Sequence, residues 1–248
     1  MHRLELYLHA VQQPAATADL LQRMHAHRRP PGVGPATLLR EDFAGTAAVA
    51  AAWVEQHPDH QAMAVENHGP TFRWAQRRHR DIADLHLVEA DVMDLARPRV
   101  DVTAALNFSV FGYHEPASLL AYFRHARRGL APGGLLVIDA YGGPGAQRPG
   151  IQTRPADGFT YRWEQVAFDP LTHRTACRIH FDLPDGRSLA NAFRYDWRLW
   201  SVPEITDLLQ RAGFDAPVCW SDLGKGCRPV SKLPAGEDWT LYLAARRA

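Results

Sequence analysis

The chain has 248 residues, with 28 Lys and Arg against 27 Asp and Glu and a formal net charge of +1. A protein that lives on a phosphate backbone carries a basic excess or a basic run; this chain has neither, which argues against nucleic acid as a partner. Its three cysteines (Cys177, Cys219, Cys227) are odd in number and form no C-x-x-C pair, against a disulfide framework or a zinc knuckle. No apolar run is long enough for a signal peptide or a bilayer span, so a cytoplasmic protein is expected.

Residues 4–27 read as helix, broken at Pro14 and capped again near Thr17, followed by the breaker-rich linker RRPPGVGP. Strand and helix then alternate. ATLLRED is a strand and TAAVAAAWVEQH a helix; QAMAVE is a strand and PTFRWAQRRHR a helix opened by proline. LHLVEA and DVTAALNF are strands, PASLLAYFRHARRGL is an amphipathic helix, and APGG turns the chain into the strand GLLVIDAY. Short apolar runs alternating with helices mean βαβ units and a mostly parallel sheet, with ligands bound beyond the carboxyl ends of its strands.

From residue 144 the rhythm changes. A loop, GPGAQRPGIQTRPADG, leads into three segments with two-residue alternation, FTYRWEQVAF, RTACRIHFDL and SLANAFRYDWRLW, an inserted antiparallel meander. SVPEITDLLQRAGF then gives a helix capped by Ser201 and closed by Gly213, and two strands follow near 214–220 and 238–245. The expected organisation is an N-terminal helical cap and linker (1–35), a Rossmann-like domain (36–143 and 201–248) and an antiparallel β lid (144–200).

Four strand ends carry polar residues in suggestive places: E-D-F-A-G-T-A (41–47), Glu66, Asp91 and Asn107. Glu66 stands 21 residues after Gly45, and a carboxylate closing the second strand at about that spacing can accept from both ribose hydroxyls. An acid and the next backbone N–H after the third strand can hold the amino edge of an adenine, so an adenosine fits. The histidine pairs H-A-H (25–27) and H-P-D-H (57–60) lack a third ligand and read as solvated, and no metal is expected.

These motifs give the chain its likeness. Over nearly all of its length it resembles the class I S-adenosylmethionine-dependent methyltransferases, with E-D-F-A-G-T-A in place of their acidic, glycine-rich first motif. Glu66, Asp91, DVTAALNFS and L-A-P-G-G-L-L-V-I-D follow in the family's order, and RLWSVPEITDLLQRAGF matches the helix before its final hairpin. The resemblance implies a Rossmann-like, mostly parallel seven-stranded sheet with helices on both faces. The cofactor would be S-adenosylmethionine, leaving as S-adenosylhomocysteine, and the enzyme would methylate N, O or S of a small molecule. Phe43 and Ala47 depart from the pattern, standing where most members have glycine. Glycines at a dinucleotide site let backbone approach a pyrophosphate; S-adenosylmethionine has no phosphate, and an acidic turn suits its ammonium and sulfonium.

The expected cofactor residues are Tyr7, which resembles an aromatic that closes over the cofactor, then Arg40, Glu41, Gly45, Thr46, Glu66, Asn67, Asp91, Val92, Asn107 and Phe108. Arg40 is either a partner of Asp42 or a carboxylate anchor. Methyl transfer is an in-line displacement that needs alignment more than acid help, so the acceptor is expected under the meander. Tyr113, Trp163, Tyr195, Trp197 and Arg198 are the candidate substrate contacts, and His114 and Tyr141 the candidate bases or orienting groups. The alternatives are an RNA or protein methyltransferase, a NAD-dependent oxidoreductase, or a non-catalytic binding module; monomer and homodimer both stay open.

Overall fold

The computed structural model describes every residue except Ala96. Two helices come first, α1 (Arg3–Val11) and α2 (Pro14–Arg28). Pro14 opens α2 itself, ahead of the cap expected near Thr17, because a residue without an N–H is tolerated in a helix's first turn. The alternating region gives β1 (Leu38–Asp42), α3 (Ala48–Glu55), β2 (Gln61–Glu66), α4 (Gly69–Arg78), β3 (Leu85–Glu89), β4 (Val100–Ala105), α5 (Pro116–Gly129) and β5 (Leu130–Gly142). The insert is β6 (Gly150–Ala156), β7 (Phe159–Phe168), β8 (Arg174–Asp182) and β9 (Ser188–Arg198). The chain closes with α6 (Val202–Arg211), β10 (Val218–Asp222), β11 (Cys227–Pro229) and β12 (Trp239–Arg246).

The large sheet has the order β11-β10-β12-β5-β4-β1-β2-β3. β1 to β5 pair in parallel, while β12 runs antiparallel to both β5 and β10. It has eight strands where seven were expected; the extra one, β11, is a three-residue edge strand folded back on β10. Strand order reverses between β1 and β4, which makes their carboxyl ends the switch point. The sheet is buried on both faces, which is why its central strands read as continuous apolar runs. One core cluster joins α2, α3 and the sheet through Leu21, Met24, Trp53 and Leu39; the other joins α5 and α6 through Phe123, Leu119, Ile205 and Leu209. The alanines of α3 let it sit close to the sheet, and Trp53 donates its indole N–H to the Thr37 carbonyl at 3.1 Å.

APGG belongs to β5. Val100 pairs with Leu130 and Val102 with Leu135, so the tetrapeptide bulges from the ladder, and a Cβ on Gly134 would lie 2.9 Å from the Ala131 carbonyl oxygen. The insert is a separate four-stranded sheet, β6-β7-β8-β9, where three strands and a loop were expected. The missed strand, β6, is an exposed edge carrying Pro155, so it shows neither apolar alternation nor a second neighbour. α1 packs on this insert: Leu6 and Ala10 share a cluster with Phe159, Ile179, Phe181 and Ala192.

Candidate active site

Although the first turn lacks two of the family's glycines, it adopts a glycine-like path. Phe43, Gly45 and Ala47 all have φ of 55°. A left-handed backbone costs a non-glycine residue on the order of 1 kcal/mol or more, and the packing around the turn holds it there. Phe43 lies against Tyr122 and Tyr113, Ala47 is fully buried, and the Ala44 amide bonds the Val65 carbonyl at 2.9 Å. A Cβ on Gly45 would meet nothing closer than 4.0 Å, so the space above that glycine is open.

Carboxylates surround the turn. Glu66, closing β2, accepts the Gly45 N–H at 2.8 Å on one oxygen and the His68 N–H at 2.7 Å on the other. Glu41 lies beneath the turn, buried, and accepts the Ala50 N–H at 2.8 Å in the first turn of α3. Burial pushes its pKa up to about 8 against that donation, and the Glu66 charge adds to the rise. Thr46 is buried with its hydroxyl on Gln12 at 2.6 Å, which ties the α1–α2 break to the turn. Asn67 is exposed directly after Glu66. Asp91 is exposed and caps the short turn after β3 through the Met93 N–H at 2.8 Å, while Val92 is buried.

Of the two roles expected for Arg40, the structure has the partner of Asp42 and not the cofactor anchor. The Arg40 guanidinium bonds Asp42 at 2.6 Å, the Val92 carbonyl at 2.8 Å and the Leu95 carbonyl; Tyr122 donates to the other oxygen of Asp42 at 2.9 Å. Arg40 is 1% exposed and is the inner partner of a buried ion pair, so it offers no anchor to a ligand.

At the end of β4, Asn107 and Phe108 are both left-handed, with φ of 58° and 59°. Their amides are held by Asp139 of β5, at 2.9 and 2.7 Å. The sequence reading missed Asp139, although a carboxylate inside the apolar run GLLVIDAY was its signal. Burial raises its pKa to about 7 despite those two donors.

Two cavities open beyond β4, β5 and β12. The larger, about 760 Å³, lies between the α1–α2 break and the ends of β5, β10 and β12, with Asp139, Asp222, Glu237 and Asp238 on its walls. The smaller, about 350 Å³, lies under the inserted sheet and is walled by Tyr7, Phe108, Tyr141, Trp163, Tyr195 and Trp197. Asn107 borders both. Tyr195 stacks on Trp197 at 4.3 Å between centroids, and Tyr7 lies 4.9 Å from the Phe193 ring. The Tyr141 ring centre lies 4.7 Å from that of Phe108, and burial pushes its phenol pKa up, which favours the protonated, hydrogen-bond-donating form. Gly45, Glu66 and Asp91 border neither cavity and lie in a row beyond the switch point, across β1, β2 and β3.

Three expected contacts lie elsewhere. His114 bonds the Asp196 carbonyl at 2.8 Å and lines a separate cavity of about 250 Å³ with Arg174 and Arg198. Arg198 stands on the opposite face of β9 from Tyr195 and Trp197, bonded to the His114 carbonyl at 3.0 Å and Glu204 at 3.1 Å and stacked on Trp200. Tyr113 stacks on Tyr122 behind the first turn. Among the described residues no group of three or more His, Cys, Asp and Glu is arranged to hold a metal, and no helix is long and apolar enough to cross a membrane.

No family model matches the sequence, and no curated protein matches it. Solved structures do. The CcbJ methyltransferase of Streptomyces caelestis superposes with a TM-score of 0.75 at 18% identity, over 100% of this chain and 96% of that one. CalS10, an amino pentose methyltransferase of Micromonospora echinaspora solved with S-adenosylmethionine, gives 0.71 at 17% identity, over 98% and 95%. The sugar N-methyltransferase KedS8 of a Streptoalloteichus species gives 0.68 at 24% identity, over 98% and 92%. The chain therefore has the fold of the class I, Rossmann-like S-adenosylmethionine-dependent methyltransferases.

Proposed function

We propose that the chain is an S-adenosylmethionine-dependent methyltransferase acting on an N, O or S atom of a small-molecule acceptor. The observation that carries this reading is the contact between the Gly45 amide and the Glu66 carboxylate, 2.8 Å, on a turn whose Gly45 faces open space. Each Glu66 oxygen takes one backbone N–H and keeps a lone pair, so the carboxylate can still accept from ribose hydroxyls. Asp91 stands beyond it for an adenine amino group, and Asn107 lies at the other end of the row for the amino-acid tail. With Arg40 neutralised by Asp42, the acids Glu66 and Asp91 favour a cationic ligand over a diphosphate.

When bound, S-adenosylmethionine supplies an electrophilic methyl group on a positively charged sulfur. The chain's own residues align the acceptor and exclude water. Tyr7, Tyr195, Trp163 and Trp197 wall the aromatic cavity, and Tyr141 orients an acceptor as a hydrogen-bond donor. The solved relatives named for sugar substrates support a small-molecule acceptor. Balanced charge weighs against an RNA substrate, and the acidic turn weighs against NAD. Calorimetry with S-adenosylhomocysteine on the wild type and Glu66→Ala tests the proposal; no binding to the wild type would reject it.

A further inference from the structure

The end of β5 and the loop after it read Tyr-Gly-Gly-Pro-Gly over residues 141–145, and one neighbouring segment packs against all three glycines. A Cβ on Gly142 would run into the Trp239 indole, one on Gly143 would lie 2.6 Å from the Asp238 Cα, and one on Gly145 would collide with the Asp238 carboxylate. The loop is built around the 237–239 segment at the start of β12. That close fit orients a carboxylate: the Gly145 N–H donates to Asp238 Oδ1 at 2.7 Å. Among the described residues no donor is paired with Oδ2.

Asp238 sits in the wall shared by the two cavities, beside Asn107 and Trp239. Among the described residues it is the only carboxylate lining the aromatic cavity. The one cation lining that cavity, Arg154, is committed to α1: it donates to the Ala10 carbonyl and lies 4.6 Å from the centre of the Tyr161 ring. On the other side Asp222 and Glu237 line the larger cavity with Arg23, which is paired with Asp19 at 2.9 Å and the Cys227 carbonyl at 3.0 Å. The junction is therefore negative, and it is flanked by the rings of Tyr141, Trp163, Trp197 and Trp239, whose faces attract a cation.

We propose that Asp238 is an acceptor-binding residue that reads a cationic amine on the small-molecule acceptor. This rests on the methyltransferase reading and narrows it, because Asp238 is exposed at the cavity wall with Oδ2 unpaired among the described residues, and only a cationic group on the acceptor adds an ion pair to the hydrogen bond it can accept.

The test uses the full chain saturated with S-adenosylhomocysteine and two probes of matched size, benzylamine and benzyl alcohol, titrated by calorimetry. Benzylamine is expected to bind at least about tenfold more tightly, equivalent to ~1.4 kcal/mol. Asp238→Asn keeps an oxygen for the Gly145 N–H and removes the charge, so it is expected to erase the preference while leaving the melting temperature and S-adenosylhomocysteine affinity unchanged. Asp222→Asn, which alters only the larger cavity, is expected to keep the preference. Equal affinity of the two probes for the wild type, no saturable binding of either, or a preference that survives in Asp238→Asn overturns the proposal. Loss of S-adenosylhomocysteine binding would instead reject the methyltransferase reading, and the same pair titrated without it still decides the cation preference.

Discussion

Asp139, from inside β5, reaches the turn after β4 and accepts the Asn107 amide at 2.9 Å. Its second oxygen takes the Phe108 amide, so one carboxylate holds two consecutive left-handed residues at the switch point. Asp139→Asn presents an NH₂ where one of these amides needs an acceptor. The expected loss is about 1–3 kcal/mol of unfolding free energy, with faster hydrogen exchange at Asn107 and Phe108. Unchanged exchange there would show that the turn holds its shape without Asp139.

Buried Glu41 gives the protein a pH signature. Its pKa is raised from 4.5 to about 8 by burial, so the folded chain keeps a proton that the unfolded chain has released. The stability tied to this group is full below about 4.5 and falls as pH rises through about 8, at no more than ~1.4 kcal/mol per pH unit. His25 and His79, whose pKa values burial lowers, slope the other way, so the quantity to read is a difference. Glu41→Gln, which keeps an acceptor for the Ala50 amide, is expected to gain in melting temperature over the wild type as pH rises. A difference independent of pH would contradict the assignment.

The Arg40–Asp42 pair is internal scaffolding. Arg40→Leu strands the Asp42 charge and two carbonyls, and the expected cost is about 3–5 kcal/mol in urea denaturation. Arg40→Lys is expected to recover little of it, because an ammonium cannot reach Asp42 and both carbonyls in the fixed geometry of a guanidinium. Wild-type stability in Arg40→Leu would reject the role.

The first turn separates backbone strain from ligand contact. Gly45→Ala meets no protein atom closer than 4.0 Å, and Ala47 already holds the same φ, so the stability loss should be about 1 kcal/mol. Its effect on S-adenosylhomocysteine affinity should be larger, because the new methyl group enters the open side of the turn. Ala47→Val, a β-branched residue at φ of 55° in a packed core, should cost more than about 2 kcal/mol. Equal, small effects of both substitutions on folding and binding would contradict this reading of the turn.

The alternation of helices and strands was legible because strands buried on both faces and helices buried on one leave distinct periods, as in LLVIDA of β5 and LLAYFRHA of α5. β6 and β11 were not legible: both lie at a sheet edge, mostly exposed, where no burial imposes a pattern. The strand-end acids were visible as positions, but their neighbours were not. Arg40 meets Asp42 two residues away on its own strand, and also carbonyls more than fifty residues on. Grouping Arg198 with Tyr195 and Trp197 as substrate contacts ran against strand alternation, which puts Arg198 on the opposite face, where it bonds the His114 carbonyl and Glu204. Asp238 gave no sequence signal, because its significance lies in Gly143 and Gly145, more than ninety residues earlier, which make room for it.

The most direct measurement is the affinity of S-adenosylhomocysteine for the wild type and Glu66→Ala, by calorimetry on protein shown to be folded. The wild type is expected to bind, and Glu66→Ala to lose roughly tenfold or more in affinity, the scale of a hydrogen bond to a charged group. A wild type that fails to bind, or a Glu66→Ala protein that binds equally well, would contradict it.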